Sequence, residues 1–194
     1  MIESSTSPET TGPTKREMKA ETAAELYDLL EANSVHVWID GGWGVDALLG
    51  RQTRPHGDLD IALLQSDLPK LRSVLDACGY YEKGEDYATP WNYVLTDDHG
   101  HEVDLHAIVL DEHGNGILGP RERNAVYPAH SLTGKGVING REVNCIAVED
   151  LIAFHSGYEL DKDDCRDVVA LCEHFDIEVP AEVEAARTRL HAQS

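Results

Sequence analysis

The sequence predicts an α+β architecture, a mixed sheet flanked by helices with a short helical C-terminal region, and three observations carry this. Strand-like and helix-like segments interleave through the first 146 residues. From about residue 148 onward the pattern is helical only. The helix between the first two strands is too short for the crossover of a parallel strand–helix–strand unit.

Residues 1–16, "MIESSTSPETTGPTKR", lack any apolar period and read as a disordered tail. A helix is expected over about 17–33, with Leu26, Leu29 and Leu30 on one face. "VHVWI" (35–39) is a first strand ended by Gly41 and Gly42, and "WGVDALLG" a short helix stopping at Gly50. "DLDIALL" is the second strand, followed by a helix over about 67–78. "WNYVLTD" and "HEVDLHAIVL" read as two strands joined by the turn "DDHG". "GVINGREVNCI" is a hairpin turning at Asn139 and Gly140. Three helical stretches follow: "VEDLIAFHSGYEL", "KDDCRDVVALCEHF" and "PAEVEAARTRLHA". The expected units are the tail, a domain over 17–146 and a helical region over 147–194.

The 194 residues are 41% hydrophobic and 27% charged, enough for one sizeable core. No apolar run approaches the roughly 18 residues of a membrane span. The N-terminus has no signal-peptide pattern, so a cytoplasmic location is expected. The four cysteines form no CxxC pair, which argues against a zinc or redox motif, and Cys165 and Cys172 read as small buried residues. A net charge of −20 argues against nucleic-acid partners and attracts cations, whether metal ions or amine-bearing small molecules, although it equally suits solubility or a salt-rich habitat.

Aspartate is depleted in strands, yet "DLDIALL" carries two in three residues. Alternation puts Asp58 and Asp60 on one face, with Leu59 and Ile61 turned to the core. In "EVDLHAIVL", Asp104 and His106 share a face in the same way. If the two strands are neighbours, three carboxylates converge and need divalent cations, and hard oxygen ligands suit magnesium. Two such ions can bind a triphosphate and stabilise both the attacking and the leaving oxygen. The competing reading is of edge charges that deter aggregation, which suits one aspartate better than three. An EF-hand loop fails on spacing, since its fifth and sixth positions from Asp58 hold Ala62 and Leu63.

"GWGVDA" (42–47) satisfies the dinucleotide fingerprint G-x-G-x-x-A, but the short helix and the acid at the start of the second strand argue against it. Gly41 and Gly42 serve better as a bare turn that lets phosphate oxygens reach main-chain N–H groups at a helix start.

These residues together carry a resemblance. "GGWGVDALLGRQTRPHGDLDI" resembles the signature of antibiotic nucleotidyltransferases in the DNA polymerase β-like superfamily. The likeness is nearest to the lincosamide nucleotidyltransferases, through G-G-W-G-V-D, the approach "TR-x-H-x-D-x-D", "VDLHAIVLDEHGNG" and "FHSGYEL", and then to the aminoglycoside 2''-adenylyltransferases. It covers roughly residues 35–170. It implies the polymerase β-like nucleotidyltransferase fold for the 17–146 domain. It further implies transfer of a nucleoside monophosphate, AMP from ATP or another NTP, to a hydroxyl of a small cationic antibiotic, with pyrophosphate released.

Carried over, Asp58 and Asp60 become ligands of two Mg2+ ions. Asp104 is the third ligand and takes the proton from the acceptor. Gly41 and Gly42 contact the triphosphate, with Arg54 as a neutralising partner. His56 and Asp46 match the pattern, and Asp46 also reads as a brace for the short helix. His106 and His155 are candidates to face the cleft. Glu85, Asp86, Tyr87 and Trp91 are candidates for the acceptor, because this aromatic-rich stretch precedes the strand of Asp104 and aromatics bind amines by cation–π contact. Trp91 and Tyr93 equally suit packing under the sheet. "DYATPWNYVLTDD" (86–98) departs from the small lincosamide enzymes, which leaves the acceptor open between lincosamides and aminoglycosides. A homodimer also stays open. Two rivals remain: a toxin-like enzyme modifying a protein or a tRNA, and an inactive binding module, the latter disfavoured by the presence of all three aspartates.

Overall fold

A computed structural model describes residues 16–85, 88–120 and 125–192. Residues 1–15 of the expected tail and the acceptor candidates Asp86 and Tyr87 lie outside them. Six α-helices and nine strands follow in the order α1 (Ala20–Ala32), β1 (Val37–Ile39), α2 (Gly41–Leu49), β2 (Asp58–Leu64), α3 (Leu68–Ala77), β3 (Tyr81–Glu82), β4 (Asn92–Thr96), β5 (Glu102–Leu110), β6 (Gly116–Leu118), β7 (Ala125–Tyr127), β8 (Gly134–Ile138), β9 (Arg141–Cys145), α4 (Val148–Phe154), α5 (Lys162–Phe175) and α6 (Ala181–Ala192), among the described residues.

The main path of the sheet runs β3-β4-β5-β2-β1-β9-β8, with β6 and β7 added beyond the far end of β5. Two pairings are parallel, β2 with β5 and β1 with β9, and the rest antiparallel. The antiparallel pairing of β1 with β2 disposes of the dinucleotide fold, whose first two strands run parallel. One core cluster packs α1 and α3 on the face carrying Leu59, Ile61, Val103 and Leu105. The other joins α4, α5 and α6 to Ala62 and Ile108 on the opposite face. Helix α2 belongs to both, through Trp43 and Ala47 on one side and Val45 and Leu49 on the other.

Several sequence readings change here. "VEDLIAFHSGYEL" is helical only to Phe154, because "HSG" breaks it; Gly157 has φ +79°. Helix α2 starts two residues earlier than expected, taking in Gly41 and Gly42, and stops at the left-handed Gly50 as the sequence suggested. The strands β3, β6 and β7 are two or three residues long, too short to show a period. The hairpin β8–β9 turns through Asn139 and Gly140, both at positive φ (50° and 77°), as a type I′ turn requires. Cys165 and Cys172 are buried free thiols.

Candidate active site

Parallel register decides how the aspartates meet. Asp60 lies directly across from Asp104, with Asp58 opposite Glu102 and Ala62 opposite His106. Leu59 and Ile61, buried on the other side, fix which face the carboxylates take. A one-residue slip would bury all of them.

The same face meets the start of α2. Asp40 ends the β1 connection as the N-cap of α2, its Oδ1 accepting the Gly41 N–H at 2.8 Å. Gly41 has φ +54°, and a Cβ there would fall 2.2 Å from Asp60 Oδ2. Only glycine lets the helix start against that carboxylate. At Gly42 a Cβ would meet the His56 ring at 2.4 Å and the Arg54 guanidinium at 2.7 Å.

Charge crowds this face. Burial pushes the Asp60 carboxyl up to about 7, with the Asp58 charge adding to it and His106 opposing. Burial would lower His106, but Asp40, Asp60 and Asp104 outweigh it and raise the imidazole to about 9. Burial would also raise Asp40, yet His106, the Gly41 N–H and Tyr127 together hold it below its ordinary value. Asp60, Asp104 and His106 each offer a ligand atom, all within 4.8 Å of one another. A divalent cation would offset this repulsion, so the donor set fits a metal ion.

The other sequence candidates fall as follows. Arg54 sits beside Gly42 with its guanidinium forked onto the buried Asp167, Nη2 to Oδ2 at 2.7 Å. Asp46 accepts from the Thr53 N–H (3.0 Å), the Thr53 hydroxyl (2.6 Å) and His56 Nε2, so both Asp46 and His56 brace the loop into β2. Glu85 pairs with Lys83, which also holds Glu102 at 2.7 Å. Trp91 packs against the α1–α3 core, with its indole over Gly119, on the side away from the carboxylates. Antiparallel alternation hands the carboxylate face to Asn92 instead, whose amide donates to Asp104 Oδ1 at 3.3 Å.

A cleft of about 480 Å³ opens on this face, lined by Asp60, His106, Tyr127, Phe154, His155 and Tyr158 among others. His106 and His155 both reach it, His155 with its Nδ1 held by the Leu151 carbonyl at 2.8 Å. A groove of similar volume between α5 and α6, lined by Val169, Ala170 and Leu190, holds none of these carboxylates.

Sequence reasoning passed over Asp40, Asn92 and Tyr127. Asp40 carried a signal, an aspartate directly before a helix start. Tyr127 carried none, since its hydroxyl reaches Asp40 across 87 residues of chain.

Solved structures with this fold give the class. A lincosamide antibiotic adenylyltransferase, LnuA, determined with lincomycin bound, superposes with TM-score 0.70 at 30% identity, covering 80% of this chain and 98% of that one. The adenylyltransferase ANT(2'')-Ia, in complex with adenylyl-2''-tobramycin, shares the fold with TM-score 0.63 at 20% identity, over 90% and 97% of the chains. The fold is that of the nucleotidyltransferases, and the carboxylate face stands on its central parallel pair. The sequence model of the aminoglycoside-2''-adenylyltransferase family matches residues 23–171, and the chain belongs to that family of antibiotic nucleotidyltransferases. A lincosamide resistance protein of Staphylococcus haemolyticus is 34% identical over 160 residues, 80% of this chain and 92% of its own. A 2''-aminoglycoside nucleotidyltransferase of Escherichia coli is 35% identical over 125 residues, 63% of this chain and 64% of its own.

Proposed function

We propose that the protein transfers AMP from ATP, in a magnesium-dependent reaction, to a hydroxyl of a small cationic antibiotic, a lincosamide or an aminoglycoside, releasing pyrophosphate and inactivating the drug. The observation that carries this reading is the register of Asp60 against Asp104 on parallel neighbours, beside a helix start that only glycine permits.

In this reading Asp58, Asp60 and Asp104 hold two Mg2+ ions. When bound, the ions would neutralise the triphosphate and charge developing at the α-phosphate. Asp104, steadied by the Asn92 amide, takes the proton of the acceptor hydroxyl as its oxygen bonds to the α-phosphorus and the bond to the β-phosphate oxygen breaks. Gly41 and Gly42, at the start of α2, leave room for phosphate oxygens next to Asp60. The acceptor occupies the cleft, where Phe154, Tyr158 and His155 give an aromatic wall suited to an amine-bearing ring.

The test is a panel of lincosamides and aminoglycosides incubated with ATP and Mg2+, read by pyrophosphate release and by the mass of the drug. Adenylylation of one class and not the other assigns the acceptor. Labelled ATP passing to cell protein or RNA, with every drug untouched, would remove the antibiotic from the reading.

A further inference from the structure

Asp40, His106 and Tyr127 come from three separated parts of the chain and join through one hydroxyl. The Tyr127 oxygen lies 2.8 Å from Asp40 Oδ2 and 2.9 Å from His106 Nδ1. A phenol has one proton to give. Asp40 Oδ2 is an acceptor, and its partner oxygen is already taken by the Gly41 N–H, so the phenol proton goes to Oδ2. His106 Nδ1 must then carry hydrogen and donate to the phenol oxygen. Its other nitrogen, Nε2, turns toward the reacting face and lies 3.9 Å from Asp104 Oδ1.

Imidazoles that ligate metals nearly always donate their second N–H to an oxygen acceptor that fixes the ring. Here that acceptor is a buried tyrosine, itself anchored on a buried aspartate at a helix cap. We propose that His106 Nε2 is a nitrogen ligand of the metal site beside Asp60 and Asp104, and that Tyr127 and Asp40 are positioning residues that hold its ring. The proposal rests on the metal-dependent reading above. It makes the site more tolerant of Mn2+ than an all-oxygen site, because imidazole suits the transition metals better than magnesium.

The test uses the full chain, stripped of metal, with Mn2+ and inorganic pyrophosphate, which contains no nitrogen. Pulsed electron paramagnetic resonance should give phosphorus coupling and the nitrogen coupling of a coordinated imidazole. His106→Gln should lose the nitrogen coupling and keep the phosphorus coupling. Tyr127→Phe, with its fold verified by circular dichroism, should bind Mn2+ about 10- to 100-fold more weakly. Its preference for Mn2+ over Mg2+ should fall as well, a ratio that general loosening would not move. Phosphorus coupling without nitrogen coupling in the wild type would overturn the His106 assignment and leave the nucleotidyl-transfer reading standing. Neither coupling would remove both. Nitrogen coupling that survives in His106→Gln would assign it to another histidine and overturn the proposal, and unchanged Mn2+ affinity in Tyr127→Phe would overturn the positioning role. Should His106→Gln fail to fold, the wild-type spectrum and the Tyr127→Phe affinities still decide the matter.

Discussion

Asp104 and Asp60 sit side by side but answer to different forces. Asp104 keeps a hydrogen bond from Asn92, whereas Asp60 is raised by burial and by Asp58. Substituting Asp104 by Asn removes the proposed proton acceptor without removing bulk. We expect kcat to fall by about 10²- to 10⁴-fold, far more than ATP affinity falls, measured by steady-state kinetics and nucleotide titration. An intact rate with weakened ATP binding would make Asp104 a nucleotide ligand only. Trp91 belongs to a different account. Because its indole packs on the α1–α3 core, Trp91→Ala should lower the melting temperature and weaken both substrates together. The cost should be about 2–4 kcal/mol, somewhat below that of a fully buried tryptophan because Trp91 is half-buried. A selective rise in antibiotic KM at unchanged stability would return Trp91 to the acceptor.

Two joints between elements carry the site. At the joint of α2 and β2, Gly41→Ala would set a methyl against Asp60 and strain a left-handed backbone. We expect a loss of more than about 100-fold in kcat/KM, out of proportion to the change in melting temperature, since displacement of a catalytic group by about 1 Å is enough for that. The joint of the β2 approach with α5 is the Arg54–Asp167 pair, where Asp167 is fully buried. Arg54→Ala strands that carboxylate and should cost about 3–5 kcal/mol, while Arg54→Ala with Asp167→Asn should recover much of it. Equal destabilisation in single and double variants would show that the guanidinium acts through packing alone. The family resemblance implied Arg54 only as a neutralising partner for the triphosphate, and no spacing rule reaches 113 residues on to Asp167.

Over the whole molecule, 36 acidic and 16 basic residues leave a net charge of −20, and part of the resulting strain is gathered at one face. Asp60 in the fold is raised to about 7, above about 3.9 for an unfolded chain, so its stabilising share is lost as pH rises through that window. His106 is raised to about 9 from about 6.5, so its share is full below the lower value and is lost as pH rises through the upper one. Both run the same way. The metal-free protein should therefore melt at falling temperature between pH 5 and pH 9, and Mg2+ at pH 8 should restore stability by binding the folded form. Asp60→Asn should flatten the slope and weaken the effect of Mg2+. A flat profile in the wild type would mean that the crowded charges are relieved by solvent.

The sequence by itself determined the strands that carry the aspartates, the face those residues take, the stop of the short helix at Gly50 and the family signature. Each is a local matter, set by alternation over a few residues, a glycine turn or a helix stop, and "DLDIALL" became β2 with both its bounds as read. Tertiary structure alone decided what stands next to those residues. That β2 and β5 are parallel neighbours, that Asn92 and not Trp91 faces Asp104, and that Tyr127 joins Asp40 to His106 are consequences of strand order and register. Strand order follows from how two cores close on opposite faces of one sheet, a balance among contacts far apart in the chain that no short stretch of residues contains.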